Sequence, residues 1–381
     1  MRIAFIGDIV VKDKNVRLSG ELQSLLDRCD FRICNFEAPI LDNGNNTPLK
    51  KAGLNIFQTE KGIDLLKYIG IDLVSLANNH ILDYGENTLQ NTINILQKEG
   101  MNVFGAGFSF QEVYKPYILK TNKETITFIT CSQAEFGVFK SENDLVGYAW
   151  INHPQINKII AQAKEQTDLV YVYVHAGLED EIYPLPEWRI RYKELIDMGA
   201  DCVVGSHPHI IQGYETYKDK YIFYSLGNFF FEKENANREW RRSLLIVHDT
   251  EGNNFEIIPC ITHDNLVEID KSIETQEDIK ERSIIFDNND EYIQKIDDMA
   301  VRLWKEYYAS YYYWYCPSVE NYSIKKLTKY IVKKILGKQI NKGNVSSSIN
   351  ETMLLHNIQI ETHRWLVERY LYNSNKKINN L

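Results

Sequence analysis

Three observations in the 381 residues predict an α/β fold. Short runs rich in β-branched and aromatic residues recur up to about residue 262, segments with helical periodicity separate them, and six of the runs end in Asp, Glu, Asn or His. Such runs, with no polar alternation, read as buried parallel strands. Strands alternating with helices build a layered α/β sheet.

In chain order, Ile3-Ala4-Phe5-Ile6 leads into Gly7-Asp8, and Leu18, Leu22, Leu25 and Leu26 then mark one helical face. Phe31-Arg32-Ile33-Cys34 leads into Asn35-Phe36-Glu37, and the run Leu73 to Ala77 into Asn78-Asn79-His80. Leu89, Ile93 and Leu96 predict a helix stopped by Gly100, and Ile156, Ile159, Ile160 and Ala163 predict another. The run Leu169 to Val174 leads into His175-Ala176-Gly177, followed by a helical face of Trp188, Tyr192, Leu195 and Ile196 before Gly199. Cys202-Val203-Val204 leads into Gly205-Ser206-His207-Pro208-His209, and the run Ile222 to Leu226 into Gly227-Asn228. Two apolar runs around Thr250-Glu251-Gly252-Asn253-Asn254 make 243–262 an antiparallel hairpin.

Beyond about residue 265 the strand rhythm stops, so the expected division is a domain over 1–265 and a mainly helical, aromatic- and lysine-rich region over 266–381. Residues 270–310 are helix-like, Tyr307 to Tyr315 is densely aromatic, Gly343 to Asn350 reads as a polar break, and 351–371 as a final helix. The segment 324–342 carries seven lysines and no acid, with Ile324, Leu327, Ile331 and Ile335 on one face. That pattern fits either a helix packed on its own protein or a peripheral contact with an anionic membrane; the first is expected.

The formal charge of −9 argues against a nucleic-acid partner. The six cysteines form no C-x-x-C pair and read as small buried residues. No apolar stretch reaches the ~18 residues of a membrane span, and the N-terminal run is too short for a signal peptide. The expected location is cytoplasmic, or peripheral to a membrane through 324–342. Oligomeric state is not encoded in any of these patterns.

One polar residue at a strand end is ordinary, because Asp, Asn and Gly favour turns. Two histidines one residue apart, together with Asp8, Glu37, Asn78-Asn79-His80, His175 and Asn228 at equivalent strand ends, point instead to one oxygen- and nitrogen-ligand site along a sheet edge. Asn78 reads as a bracing amide, and Asn228 as scaffold or site in equal measure. Glu179 and Glu181 read as surface acids, with support of the site from just outside it as the alternative, and His153, His248, His263, His356 and His363 as ordinary histidines outside the site.

The ordered set Gly7-Asp8, Asn35-Phe36-Glu37-Ala38-Pro39, Asn78-Asn79-His80 with Asp83-Tyr84-Gly85, Gly105-Ala106-Gly107, His175-Ala176-Gly177-Leu178-Glu179, Gly205-Ser206-His207-Pro208-His209 and Ser225-Leu226-Gly227-Asn228-Phe229 resembles the bacterial capsule-synthesis CapA family. That family, also called the poly-γ-glutamate synthesis family, has a calcineurin-like metallophosphoesterase fold. The resemblance covers about residues 1–262. It implies a four-layer αββα sandwich with a mainly helical C-terminal appendage. It also implies a site for one or two divalent ions, Mn²⁺, Fe or Zn²⁺, held by Asp8, Glu37, Asn79, His175, His207 and His209. Glu37 takes the place of the superfamily's bridging aspartate. His80 would stabilise or protonate a leaving group and Asp83 would orient it. The implied activity is hydrolysis of a phosphoester on a phosphorylated or anionic polymer-type substrate in capsule or cell-envelope metabolism. The alternatives are a biosynthesis factor for poly-γ-glutamate and a non-catalytic capsule assembly component. One departure stands out: the superfamily's first motif is Asp-x-His, whereas Asp8-Ile9-Val10 has no histidine, so one metal position is expected to be weaker.

Overall fold

A computed structural model describes residues 1–41, 47–310, 312 and 344–379. The chain divides into two compact units, Met1–Leu49 with Asn55–Tyr292, and Lys50–Leu54 with Ile293–Leu381. All the sheets lie in the first.

The alternating burial of the first strand explains the layering. In Arg2–Val10, Ile3 and Phe5 point to one side and Ala4 and Ile6 to the other, and all four are sealed from solvent. Ile3 and Phe5 join Ile33, Phe128, Tyr171, Val204, Phe223 and Ile246 in a core between two sheets. Ala4 and Ile6 join Leu22, Leu26, Leu66, Leu89 and Leu96, which come from the helices Gly20–Leu26, Glu60–Ile69 and Glu86–Lys98. Ile156 and Ile160 of Pro154–Gln166, and Trp188 and Leu195 of Pro186–Asp197, are likewise buried. These two helices pack on the second sheet. The result is the αββα sandwich that the resemblance implied.

In the first sheet Arg2–Val10 pairs in parallel with Phe31–Phe36, which continues in parallel to Leu73–Ser75 and Asn102–Phe104. On its other side it pairs antiparallel with Arg242–Asp249, whose hairpin partner is Asn254–His263. In the second sheet Thr125–Ser132, Leu169–His175, Cys202–Ser206 and Lys220–Leu226 run parallel, with His175 level with Ser132 and Ser206. Both parallel blocks send their carboxyl ends to the site.

Several expectations change. Leu18 belongs to a short strand, Arg17–Leu18, paired with Leu266–Val267, because its position precedes the Ser19 N-cap of the helix. Sheet pairing continues past residue 265, through Leu266–Ile269. The polar stretch 343–350 is helical from Asn344, because Ser and Asn weaken a helix without forbidding it. The expected last helix is two, Asn344–Gln359 and Glu361–Asn379. Within the second unit Trp304 stacks on Tyr370 at 4.6 Å and on Tyr312 at 5.8 Å, and Arg369 reaches Asp297 at 3.1 Å. The lysine-rich segment 324–342 lies outside the described residues, as do 311 and 313–315 of the aromatic run. Among the described residues no helix is long and apolar enough to cross a membrane.

One close approach holds the site edge together. A Cβ on Gly7 would sit 2.0 Å from the Gly227 carbonyl oxygen, which accepts the Asp8 N–H at 3.1 Å. Gly7→Ala is expected to destabilise the protein by about 2 kcal/mol or more through overpacking. A thermal melt checks it, and an unchanged Tm would show that the two segments can separate at no cost.

Candidate metal centre

Each site side chain owes its position to backbone geometry. Asp8 does not end its strand as expected. The strand runs on to Val10, and register shifts flanking Asp8, before it against Phe31–Phe36 and after it against Asn228–Phe231, aim it inward. Glu37 follows the last residue of Phe31–Phe36, and Ala38 beside it takes a φ of 125°. His175 is the final residue of its strand, while His207 and His209 sit in the left-handed region at φ 97° and 63° on either side of Pro208. Non-glycine residues there cost of order 1–3 kcal/mol each and persist where the surroundings compel them.

These loops bring Asp8, Glu37, His175, His207 and His209 together, all buried. Two trios emerge, Glu37 with His175 and His207, and Asp8 with Glu37 and His209, in each of which the ligand atoms lie within 4.8 Å of one another. Glu37 belongs to both. Its Oε1 is 3.6 Å from His175 Nε2 and 3.8 Å from His209 Nε2. Asn79 Oδ1 lies 3.0 Å from His175 Nε2, which places this carboxamide beside the first trio. The second trio has no such supplement at residue 10, where the expected histidine is replaced by the buried Val10. His80 stands apart from the trios. Its Nδ1 is 2.7 Å from Asp83 Oδ2, and its side chain is 13% exposed, against 0% for His175 and 4% for His209. Asp83 Oδ2 also accepts the Ile56 N–H at 2.8 Å.

The residues fit a cation. Both carboxylate oxygens of Glu37 are buried without a hydrogen-bond partner. Burying a charge this way is costly unless an opposite charge compensates it. A divalent ion shared between the trios would do so, and the carboxylate–imidazole–carboxamide donor set suits Mn²⁺, Fe or Zn²⁺. The surrounding hydrogen bonds orient the ligands. Asp8 Oδ1 accepts from Asn35 Nδ2 at 2.7 Å and Oδ2 from the His207 N–H at 3.0 Å. His209 Nδ1 meets Asn228 Oδ1 at 3.1 Å, and Asn228 Nδ2 donates to the His209 and Trp240 carbonyls, so Asn228 is scaffold. Asn78 braces the loop, donating to the Phe36 carbonyl at 3.0 Å.

Four contributors escaped the sequence reading. Asn35 Nδ2 also lies 3.0 Å from His175 Nδ1. Gln133 Nε2 lies 2.9 Å from His207 Nε2 and donates to Glu135 Oε1 at 2.6 Å, and Glu135 Oε2 accepts from Asn79 at 3.1 Å. Trp240 stacks on His209 at 4.5 Å. A signal for Gln133 existed: the run Thr125–Ser132 ends in it, as the other site strands end in theirs. Glu179 is exposed, yet its carboxylate lies within electrostatic reach of His209 and His80, so it borders the site rather than standing apart as a surface acid; Glu181 is buried, and its carbonyl accepts from Gln212 at 2.7 Å. Of the histidines set aside, His153 caps the helix Pro154–Gln166, His248 is buried 2.5 Å from the Tyr171 hydroxyl, and His263 is exposed beside Glu268. His356 and His363 pack ring to ring at 5.1 Å within the second unit.

Burial alone would lower the His175 pKa, but Glu37 and Asp8 outweigh it and push it up to about 10. Burial opposes ionisation of Asp8, but His175 overcomes it and holds the carboxyl below its usual range. Without an ion, His175 therefore carries a proton at pH 8, and coordination requires it neutral. Mn²⁺ binding to chelator-stripped protein at pH 8 is expected to release about one proton from this imidazole, measured by calorimetry in buffers of different ionisation enthalpy. The stripped protein should have the full stabilisation from this ion pair below pH ~6.5 and lose it as pH rises through about 10, because the folded pKa lies above the unfolded one. A melting curve that stays flat across that window would contradict the pairing.

Comparisons with known proteins agree on one family. The family model for the bacterial capsule synthesis protein PGA_cap matches residues 2–233. The capsule biosynthesis protein CapA of Bacillus anthracis is 30% identical over 213 residues, spanning 55% of this chain and 52% of that protein. The PGA biosynthesis protein CapA of Bacillus subtilis (strain 168) is 27% identical over 274 residues, spanning 68% and 71%. This chain thus covers about half the length of the first relative and more of the second. Among solved structures, a novel phosphatase from Mycoplasma pneumoniae aligns with a TM-score of 0.40 at 12% identity, covering 68% of this chain and 93% of that one. With a match across more than half its length to a site-bearing sandwich, the chain belongs to the bacterial capsule synthesis protein PGA_cap family.

Proposed function

We propose that the centre is a metal-dependent phosphoester hydrolase site serving capsule or cell-envelope polymer metabolism. The observation that carries this reading is Glu37, a buried carboxylate without a hydrogen-bond partner, shared by two ligand trios. When bound there, divalent ions supply neutralisation of phosphoryl charge and a water acidic enough to attack at neutral pH. The protein's own residues do the rest. Asp8, Glu37, Asn79, His175, His207 and His209 hold and space the ions. His80 is the most open imidazole of the group, and Asp83 accepts from its Nδ1–H, which orients the ring and leaves Nε2 as the nitrogen that, in the imidazolium form, would give its proton to a leaving oxygen. The Ile56 N–H in turn fixes Asp83. A second reading, a factor in making an anionic capsule polymer such as poly-γ-glutamate, is favoured by the names of the two Bacillus relatives.

A phosphoester panel with added Mn²⁺ separates the readings: turnover is expected, and its absence with metal bound would leave only the synthesis role. His207→Ala should lower bound metal. His80→Ala should keep the metal and lower turnover by roughly 10²- to 10⁴-fold, the range for losing a general acid. Elemental analysis beside kinetics reads both, and metal loss in both variants would remove His80 from the acid role. Titrating Mn²⁺ into stripped protein should give two unequal affinities, because the trio containing Asp8 lacks a residue equivalent to Asn79. Two equal tight sites would show that Val10 costs nothing.

A further inference from the structure

The motif Gly105-Ala106-Gly107 belongs to the ordered set in the sequence, yet it supplies no side chain that could hold an ion. Its place in the fold gives it a different part. Ala106–Gly107 pairs antiparallel with Gly147–Ala149, which pairs in parallel with Val138–Phe139, in a small sheet apart from the two large ones. The Gly105 carbonyl accepts the Ala149 N–H at 2.8 Å. Gly105 takes a φ of 90°, and a Cβ there would stand 2.8 Å from the Cβ of Ala77, just before the Asn78-Asn79-His80 loop. This small sheet fixes Tyr148, which is paired with Ala106 and fully buried. The Tyr148 hydroxyl accepts the Glu135 N–H at 2.9 Å and donates to the Gln133 carbonyl at 3.2 Å. It pins the segment just past the strand Thr125–Ser132.

Both pinned side chains reach one ligand trio. His207 Nδ1 lies 3.1 Å from His175 Nε2, so Nδ1 is the nitrogen that faces the trio. The other nitrogen, Nε2, lies 2.9 Å from Gln133 Nε2 and 3.6 Å from Glu135 Oε1. An imidazole that binds an ion through one nitrogen carries its proton on the other, and a carboxylate there fixes the ring and strengthens the ligand. Gln133 cannot accept that proton, because its Oε1 is turned to the Gly177 N–H at 3.1 Å and its Nε2 only donates. Glu135 can accept it, and its side chain is only 9% exposed. Its second oxygen accepts from Asn79 Nδ2 at 3.1 Å, while Asn79 Oδ1 stands 3.0 Å from His175 Nε2. The other trio has a weaker counterpart, since His209 Nδ1 meets the neutral Asn228 Oδ1.

We propose that Glu135 is a positioning residue for the tighter of the two ions, taking the Nε2–H of His207 on one oxygen and holding the Asn79 amide with the other. One carboxylate thereby orients two ligands of the same trio, and Tyr148, set by the Gly105-Ala106-Gly107 motif, holds it in place. This rests on the metal centre of the hydrolase reading and is independent of turnover.

The test titrates Mn²⁺ calorimetrically into the chelator-stripped full chain. Glu135→Gln keeps the size of the side chain and removes its charge. It should weaken the tighter affinity by roughly 10- to 100-fold, the usual cost of losing a group that orients a metal ligand. Tyr148→Phe removes only the hydroxyl and should weaken the same affinity by roughly two- to tenfold, the scale of one hydrogen bond; it decides in place of Glu135→Gln if that variant does not fold. Nitrogen NMR of isotope-labelled histidine in the Zn²⁺-loaded chain supplies a readout that a merely structural role would not move. His207 should carry the ion on Nδ1 and a proton on Nε2, and that proton should exchange with water faster in Glu135→Gln. An unchanged tighter affinity in Glu135→Gln, or an ion on His207 Nε2, overturns the positioning role and leaves the metal centre intact. Native protein that binds no Mn²⁺ removes the centre and the role together, whereas bound metal without turnover removes the hydrolase reading alone.

Discussion

The architecture around the sheet edge depends on one costly choice, a carboxylate buried with no hydrogen bond to either oxygen. Glu37 sits between His175 Nε2 and His209 Nε2 at 3.6 and 3.8 Å. Removing an ionised group from water costs several kcal/mol even after relaxation, so the surrounding structure makes sense only as a holder for positive charge. Protons on the imidazoles provide it in part, and the raised His175 pKa records that. Asn35, Asn78, Gln133 and Asn228 then set the orientation of each ring and carboxylate through neutral hydrogen bonds that add no competing charge.

Much of this is legible in the sequence, and the reason is physical. Parallel strands buried on both faces need uninterrupted apolar residues, so each run announces itself, and the polar residue that ends it faces the common edge. That logic pointed to Glu37, the Asn78-Asn79-His80 segment, His175, His207 and His209 without three-dimensional information, and the family resemblance singled out Asn79. It also named Asp8, although the inward aim of that side chain comes from a bulge that only pairing reveals. Asn35 was hidden inside its own strand, and Trp240 comes from a polar segment with no periodic signal. Gln133 was missed because the strand holding Cys131 was not followed to the polar residue at its end. The redirected helices near residues 18 and 344 show the usual limit: caps and sheet partners decide element ends, and local propensity does not.

The segment around Trp240 is anchored from an unexpected direction. Arg242, fully buried, donates to Asp278 at 2.6 Å and to Thr275 at 3.0 Å, while Glu239 accepts from both Arg242 and Arg282. The helix Ile273–Ile284, which follows the last sheet strand, therefore holds the loop that stacks on His209. Removing one member of such a network leaves an unpaired buried charge, which transmits damage in that helix through Arg242 and Glu239 to the loop that stacks on His209.

The left-handed backbone at Ala38, His207 and His209 has a consequence for the life of the protein in a cell. Those three residues are held against their preference by the packing and charge of the centre, so the loops carrying them are the part of the sandwich with most to gain from letting go. If the centre holds metal as proposed, scarcity of metal would loosen the grip there first, while the hydrophobic sheets remain closed. Proteases that sample open segments would then meet the ligand loops before the sheets, and on that reading the local supply of divalent ions would set how long each molecule survives.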